Sequence, residues 1–237
     1  MPRLAPHLAR ELARGSTAAR LPSTLDLPLQ RAVEDIAATA LRGLPDRASL
    51  AILVADAREH EVRALSGGDR RPRPGRRARP DAGRALPGSA LKPMLYALAF
   101  EAGIAAPETL LADLPRRFGT YAPENFDRGF AGRITVADAL RQSLNLPAVA
   151  LLSELGPLRF ASALKAAGAT PRLPPGTDAS LPLALGGLGI TLRELAGLYA
   201  TLGQEAPPRR CASSRARTPR RAGSSSRAPR RSPPPSW

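Results

Sequence analysis

The composition of the chain changes abruptly after Gly203, and that break limits how much of it can form a core. Residues 206–237 hold nine arginines, seven prolines and seven serines, with no acidic residue. Such a stretch cannot bury enough apolar surface to offset the entropy of ordering it, so it is expected to be a disordered tail. The switch falls directly behind an ordered helical pattern, which favours a shifted reading frame in a GC-rich gene over a genuine tail. Residues 69–84 repeat the theme with seven arginines and two aspartates. The foldable part is therefore read as residues 24–203, interrupted by a basic loop over 68–84. Residues 1–23 are read as a linker, and 204–237 as the tail.

The same two stretches explain the charge. They carry +14 of the formal +15, so the body between them is near neutral. Nucleic-acid binding needs basic groups placed by a fold, with aromatic or polar readers among them. Apart from Trp237 both stretches lack such readers, and no nucleic-acid partner is expected. Cys211 is the only cysteine, so no disulfide can form within one chain. His7 and His60 lie far apart without ligand spacing, so neither a metal nor another cofactor is expected. No run of about 18 apolar residues occurs to span a membrane. The first residues, MPRLAPHLARELARGS, lack the apolar centre of a signal peptide.

Within 24–203 the punctuation is mostly helical. Asp26 is placed to cap a helix reaching about Arg42, with Leu29, Val33, Ile36, Ala37, Ala40 and Leu41 inward. The apolar run ASLAILVAD, a polar turn at Ala57–His60 and EVRALSG predict a β-hairpin. Beyond Pro87 a helix is expected from Ser89 to Gly103, with Leu91, Leu95, Leu98 and Ala102 inward. Another is expected from a Thr135 cap to Ser143. A third carries Pro147 in its first turn and stops at Gly156. Residues 157–167 predict a fourth. Thr191 and Glu194 form a capping box for a helix over 192–202.

Two tetrapeptides carry the chemistry. The chain has only two lysines, and each ends a SALK: Ser89–Lys92 and Ser162–Lys165. Serine three residues before lysine is a nucleophile motif of acyl-transfer enzymes. Ser162 falls in the middle of an expected helix, where nothing exposes a hydroxyl to a ligand, so that copy reads as a helical serine beside a surface lysine. Ser89 follows Pro87-Gly88 at an expected helix start. First-turn N–H groups lack intrahelical acceptors there and can hold an oxyanion. Lys92, one turn on, shares a face with Ser89, and burial would lower its pKa enough for it to act as a base. By itself this stretch fits an N-cap serine equally well. Ser143 and Asn145 add an S-x-N pair at a break between helices, which fits the element that accompanies S-x-x-K.

In order and spacing, TLDLPLQ, PGSALKP, YAPENFD, ITVADALRQSLNLPAVALL and LALGGLGITLRELAGLYATLG resemble class A penicillin-binding proteins. LPRRFGTYAPENFDRGFAG is most similar to their type 1C branch. The resemblance covers roughly residues 20–67 and 85–203. It implies an α+β class and a penicillin-binding protein/serine β-lactamase-like transpeptidase fold: an antiparallel sheet flanked by helices, represented here by the helical part and one hairpin. It implies Ser89 as acylated nucleophile, Lys92 as general base, Ser143 as proton relay and Asn145 as a substrate-peptide contact. The implied partners are peptidoglycan stem peptides and β-lactam antibiotics, at the periplasmic face of a bacterial inner membrane. No general-base carboxylate for a water acceptor can be identified, as a carboxypeptidase or β-lactamase would need.

The chain departs from this pattern in one element. A Lys-Thr-Gly or Lys-Ser-Gly strand is missing, since the lysine after Lys92 is Lys165, followed by Ala-Ala. The resemblance then implies a truncated fragment whose transpeptidase site is incomplete and is expected to be inactive, also without the family's glycosyltransferase domain and membrane anchor. A non-catalytic module that still binds wall peptide or partners is the alternative class.

Overall fold

The computed structural model describes residues 4–14, 16–18, 20–46, 48–69 and 83–204. The expectations for the centre of the basic loop and for the tail fall on 70–82 and 205–237, outside the described residues. The chain runs α1 (Pro6–Leu12), α2 (Leu27–Gly43), β1 (Ser49–Asp56), β2 (Glu61–Asp69), β3 (Arg84–Ala85) and α3 (Lys92–Glu101). It continues through β4 (Leu110–Asp113), β5 (Gly132–Thr135), α4 (Val136–Arg141), α5 (Asn145–Leu155), α6 (Pro157–Ala166), β6 (Ile190–Thr191) and α7 (Leu192–Leu202). Two 3-10 turns, Gly88–Leu91 and Leu181–Leu185, interrupt it.

Helix α5 is the centre of the core. Its sequence NLPAVALLSEL is apolar nearly all round, and Leu146, Val149, Leu151, Leu152 and Leu155 are all buried. A helix with that profile must be enclosed by neighbours. The Gly88–Leu91 turn supplies Leu91, α3 supplies Leu95, Tyr96 and Ala99, α6 supplies Phe160 and Leu164, and α7 supplies Leu198. Fully burying each such side chain is worth about 1.5–3 kcal/mol, so this cluster carries most of the apolar stabilisation. α3 is more enclosed than its expected stripe of four residues, because it packs against both α5 and α7.

The longest ladder is the expected hairpin, β1 against β2 antiparallel, with a register shift between Val54 and Ala55. The outer side of β2 is covered by the segment leading into α2. Thr24 Oγ1 donates to Val62 O at 2.6 Å and the Asp26 N–H to Arg63 O at 2.8 Å. The Gln30 side-chain amide both donates to Leu65 O and accepts from Leu65 N, each at 2.9 Å. An unpaired strand edge is thereby satisfied. This pairing rotates α2 from its expected face: Gln30, Val33 and Ala37 are buried, whereas Ile36 is exposed. The Asp26 cap is as expected, its Oδ1 accepting from Leu29 N at 2.8 Å.

Three local expectations differ from the structure. The segment read as a linker carries α1, seated by the buried Leu8 and by a 2.7 Å bond from Ala5 N to Glu34 Oε1. Both ends of the basic loop are strand, Asp69 pairing with Ser49 and Arg84 with Thr191. The stretch after Pro87 is not wholly helical, since β4 pairs with β5, and β6 pairs back to β3 ahead of Pro87. These strands of two to four residues are too short to show an alternating pattern.

Candidate active site

The Pro87–Leu91 turn is built by backbone contacts. Gly88 has φ +58°, which lets the chain turn sharply into the 3-10 helix that carries Ser89. Gly186, at φ +75°, lies against it: a Cβ there would stand 2.3 Å from Gly88 N. From the other side Tyr199 of α7 donates its hydroxyl to Ala90 O at 2.8 Å. The turn is thus held between the 181–186 segment and α7. Ser89 is exposed at its surface, and Lys92, the first residue of α3, is only 1% exposed beneath it.

Ser143 ends α4 in the left-handed region, φ +56°. Its N–H bonds to Leu140 O at 3.0 Å and the Leu144 N–H to Ala139 O at 2.9 Å, the two bonds of a Schellman motif. Glycine usually takes this position, and a serine costs about 1 kcal/mol or more in local strain. The return for that strain is visible at Lys92. Its Nζ donates to Ser143 O, to Ser143 Oγ at 3.2 Å, to Leu144 O at 3.1 Å and to Asn145 Oδ1 at 2.8 Å. Lys92, Ser143 and Asn145 are therefore brought together across more than 50 positions of sequence. Ser89 and Lys92 share one helical turn, but the Lys92 amine makes its bonds to the 143–145 segment and none to Ser89.

Burial lowers the Lys92 pKa from 10.5 to about 8. The carbonyl oxygens act in the opposite sense, since an acceptor stabilises the ammonium. Ser143 Oγ is the one partner that can also give a proton to the neutral amine. The site thus holds a lysine near its switching point, a hydroxyl that can donate to it or accept from it, and an exposed serine a turn away.

Asn145 is held from a second direction. Its N–H donates to Asn125 Oδ1 at 2.8 Å and its Nδ2 to Glu124 O at 2.7 Å. Asn125 in turn donates to both oxygens of Asp113, at 2.9 and 3.0 Å. Asp113 is fully buried and Asn125 nearly so. The sequence reading missed these two residues: Asn125 lay in PENFD, part of a shared string, and Asp113 lay outside every quoted string. Tyr96 lies near them, its phenol pushed above the ordinary value by burial and by the Asp113 carboxylate. Ser162 and Lys165 are both exposed on α6, and the Ser162 SALK makes no part of this arrangement. Among the described residues, no three His, Cys, Asp or Glu side chains are grouped to hold a metal ion, and no helix is long and apolar enough to cross a membrane.

A serine on a tight turn, a buried lysine one helical turn on and an S-x-N segment bonded to that lysine are set on a helical body beside an antiparallel hairpin, the fold class of penicillin-binding transpeptidase domains. Residues 50–211 match the family described as penicillin binding protein transpeptidase domain, and the chain belongs to that family. It is 41% identical over 206 residues to Penicillin-binding protein 1C of Escherichia coli K12, which covers 86% of this chain and 27% of that protein. Penicillin-binding protein 1B of Vibrio cholerae is 30% identical over 201 residues, covering 78% of this chain and 24% of its own length. The penicillin-binding protein PonA1 of Mycobacterium tuberculosis superposes with a TM-score of 0.71 at 25% identity, over 87% of this chain and 60% of that one. The chain spans about a quarter of the length of these two curated relatives.

Proposed function

We propose that this domain attacks the D-Ala–D-Ala amide of peptidoglycan stem peptides with Ser89 and, at the periplasmic face of the inner membrane, passes the acyl group to an amine of a neighbouring strand. Ser89 Oγ bonds to the carbonyl carbon as its proton moves to neutral Lys92 Nζ. The C–N bond then breaks, and D-Ala leaves as an amine after receiving a proton by way of Ser143. The incoming amine attacks the Ser89 ester, its proton returns through the same groups, and Ser89 regains its hydroxyl. β-Lactams enter the first half of this sequence and remain as esters. The observation that carries the reading is the buried Lys92 bonded to Ser143 and Asn145 directly behind exposed Ser89.

One observation favours a second reading, a binding module without turnover: neither lysine of the chain begins a Lys-Thr-Gly or Lys-Ser-Gly. Peptide mapping by mass spectrometry after long exposure to a penicillin separates the two. The transpeptidase reading expects an adduct on Ser89 and none on Ser162. An adduct on Ser162 overturns the site, and no adduct anywhere leaves the binding module.

The pH dependence follows from Lys92. Acylation needs the neutral amine, so the rate is expected to climb about tenfold per pH unit below pH 8 and level off above it. The stability consequence has the same sign. The unfolded chain, with its lysine near 10.5, binds more protons than the folded one between pH 8 and 10.5, so stability rises with pH across that window. A flat acylation profile from pH 6 to 9.5 would show that Lys92 is not the base.

A further inference from the structure

We propose that Asp113 and Asn125 are positioning residues for the active site: with one fixed amide orientation they hold the Asn145 backbone N–H, and the adjacent Glu124 carbonyl then directs the Asn145 amide oxygen toward Lys92. The proposal deepens the transpeptidase reading and rests on it for the chemistry served, but its test does not need turnover.

Two adjacent residues set the two ends of Asn145, Asn125 its backbone and Glu124 its side chain. A carboxylate only accepts, so Asp113 holds the Nδ2 side of Asn125 toward itself. The same Nδ2 also reaches Gly129 O at 2.9 Å, while Asp113 Oδ2 takes the Ala131 N–H at 2.7 Å. With Nδ2 committed, Asn125 Oδ1 has to face the other way, and there it accepts the Asn145 N–H at 2.8 Å. Asn145 is the first residue of α5, and the Leu144 side chain makes no cap. Asn125, 20 residues upstream, thus supplies the cap that the local sequence lacks.

The next link reaches the lysine. Glu124 O is an acceptor only and takes Asn145 Nδ2 at 2.7 Å. The Asn145 oxygen is therefore directed to Lys92 Nζ, at 2.8 Å. The adjacent pair Glu124 and Asn125 holds both the backbone and the side chain of Asn145. A reversed Asn125 amide would set two donors against each other at Asn145 and again oppose two acceptors at Asp113. With Asp113 0% exposed and Asn125 4%, burial leaves a mismatch between these two side chains uncompensated, so the Asn125 amide has one setting, whereas the Asn145 bond to Glu124 O lies at the surface. A merely structural buried pair would hold the 113–131 loop and leave Lys92 indifferent.

The test uses the full chain and three variants. Asn125→Ala removes the cap. Asp113→Asn sets an amide NH2 against the Asn125 NH2. The reciprocal swap Asp113→Asn/Asn125→Asp keeps acceptors for the Ala131 and Asn145 N–H groups and one of the two bonds between the side chains, and loses the other together with that to Gly129 O. Two measurements are made: hydrogen exchange of the Asn145 backbone amide, and the acetylation rate of Lys92 relative to exposed Lys165, the only other lysine. Asn125→Ala is expected to speed both the exchange and the Lys92/Lys165 ratio by about tenfold or more, as local opening becomes easier. Asp113→Asn is expected to speed the exchange, and the swap to bring it back to within about threefold of the unaltered chain. Unchanged exchange and an unchanged lysine ratio in Asn125→Ala overturn the proposal. If Asn125→Ala does not fold, Asp113→Asn and the swap decide: a swap that leaves the Asn145 amide as unprotected as in Asp113→Asn overturns it. Penicillin adducts are read separately, so their absence removes the transpeptidase reading and leaves this result standing.

Discussion

Lys92→Ala is expected to lower the rate of penicillin acylation by about 10²–10⁴ and at the same time to destabilise the fold. The rate falls because, among the described residues, no other base is bonded to Lys92 Nζ: its partners are two main-chain carbonyls, an amide oxygen and a hydroxyl. The sign of the stability change is decided by two opposed terms. Removing the ammonium relieves its desolvation, roughly 3 kcal/mol for a pKa drawn from 10.5 to about 8. Against that, Ser143 O, Leu144 O and Asn145 Oδ1 lose their donor, at about 1–3 kcal/mol each where water cannot replace it. The cavity left by four methylenes adds to the loss. The balance is a net destabilisation of about 2–4 kcal/mol, read by denaturant melting. Ser89→Ala separates the two effects. Ser89 is exposed, so its loss should leave stability within about 0.5 kcal/mol while abolishing acylation. A Lys92→Ala protein that melts as the unaltered chain and labels at an unchanged rate would sink the assignment of the base.

Much of this site was legible in the sequence, and the parts that were share one property: their determinants are local. The Asp26 cap, the Thr135 cap and the Thr191–Glu194 capping box each need only three residues of context, and each is present. The choice between the two SALK copies also rested on local context, and the structure puts Ser89 on a turn and Ser162 mid-helix. What escaped the sequence is set by distant partners. Gln30 turned α2 because β2, 35 residues on, needed its edge filled. Nothing in QSLNL shows that Ser143 would take a left-handed backbone, since the reward for that strain lies at Lys92. Asp113 and Asn125 carry no local signal, because the bond that gives them a role joins residues 12 apart in sequence. The four-residue strands β4 and β5 form because residues 114–131 return to a pairing that neither strand specifies alone.

The other large effect concerns a residue with no side chain. Gly186→Ala is expected to cost roughly 3–5 kcal/mol or to push the Ser89 turn out of place, with loss of acylation in either case. A Cβ at Gly186 would lie 2.3 Å from Gly88 N, 2.6 Å from Gly88 O and 2.7 Å from Gly88 Cα. All three are backbone atoms, so no rotamer change relieves the clash; one of the two turns has to move. The left-handed φ of +75° adds about 1 kcal/mol for any residue with a Cβ. The two terms can be told apart with Gly176→Ala. Gly176 has nearly the same φ, +73°, but nothing within 4 Å of its Cβ position. That variant should lose about 1 kcal/mol and keep its rate of labelling. The difference between the two alanines then measures how tightly the 181–186 turn supports the backbone one residue before Ser89. Equal melting of the two variants, with Ser89 labelled at the same rate in both, would show that this contact positions nothing.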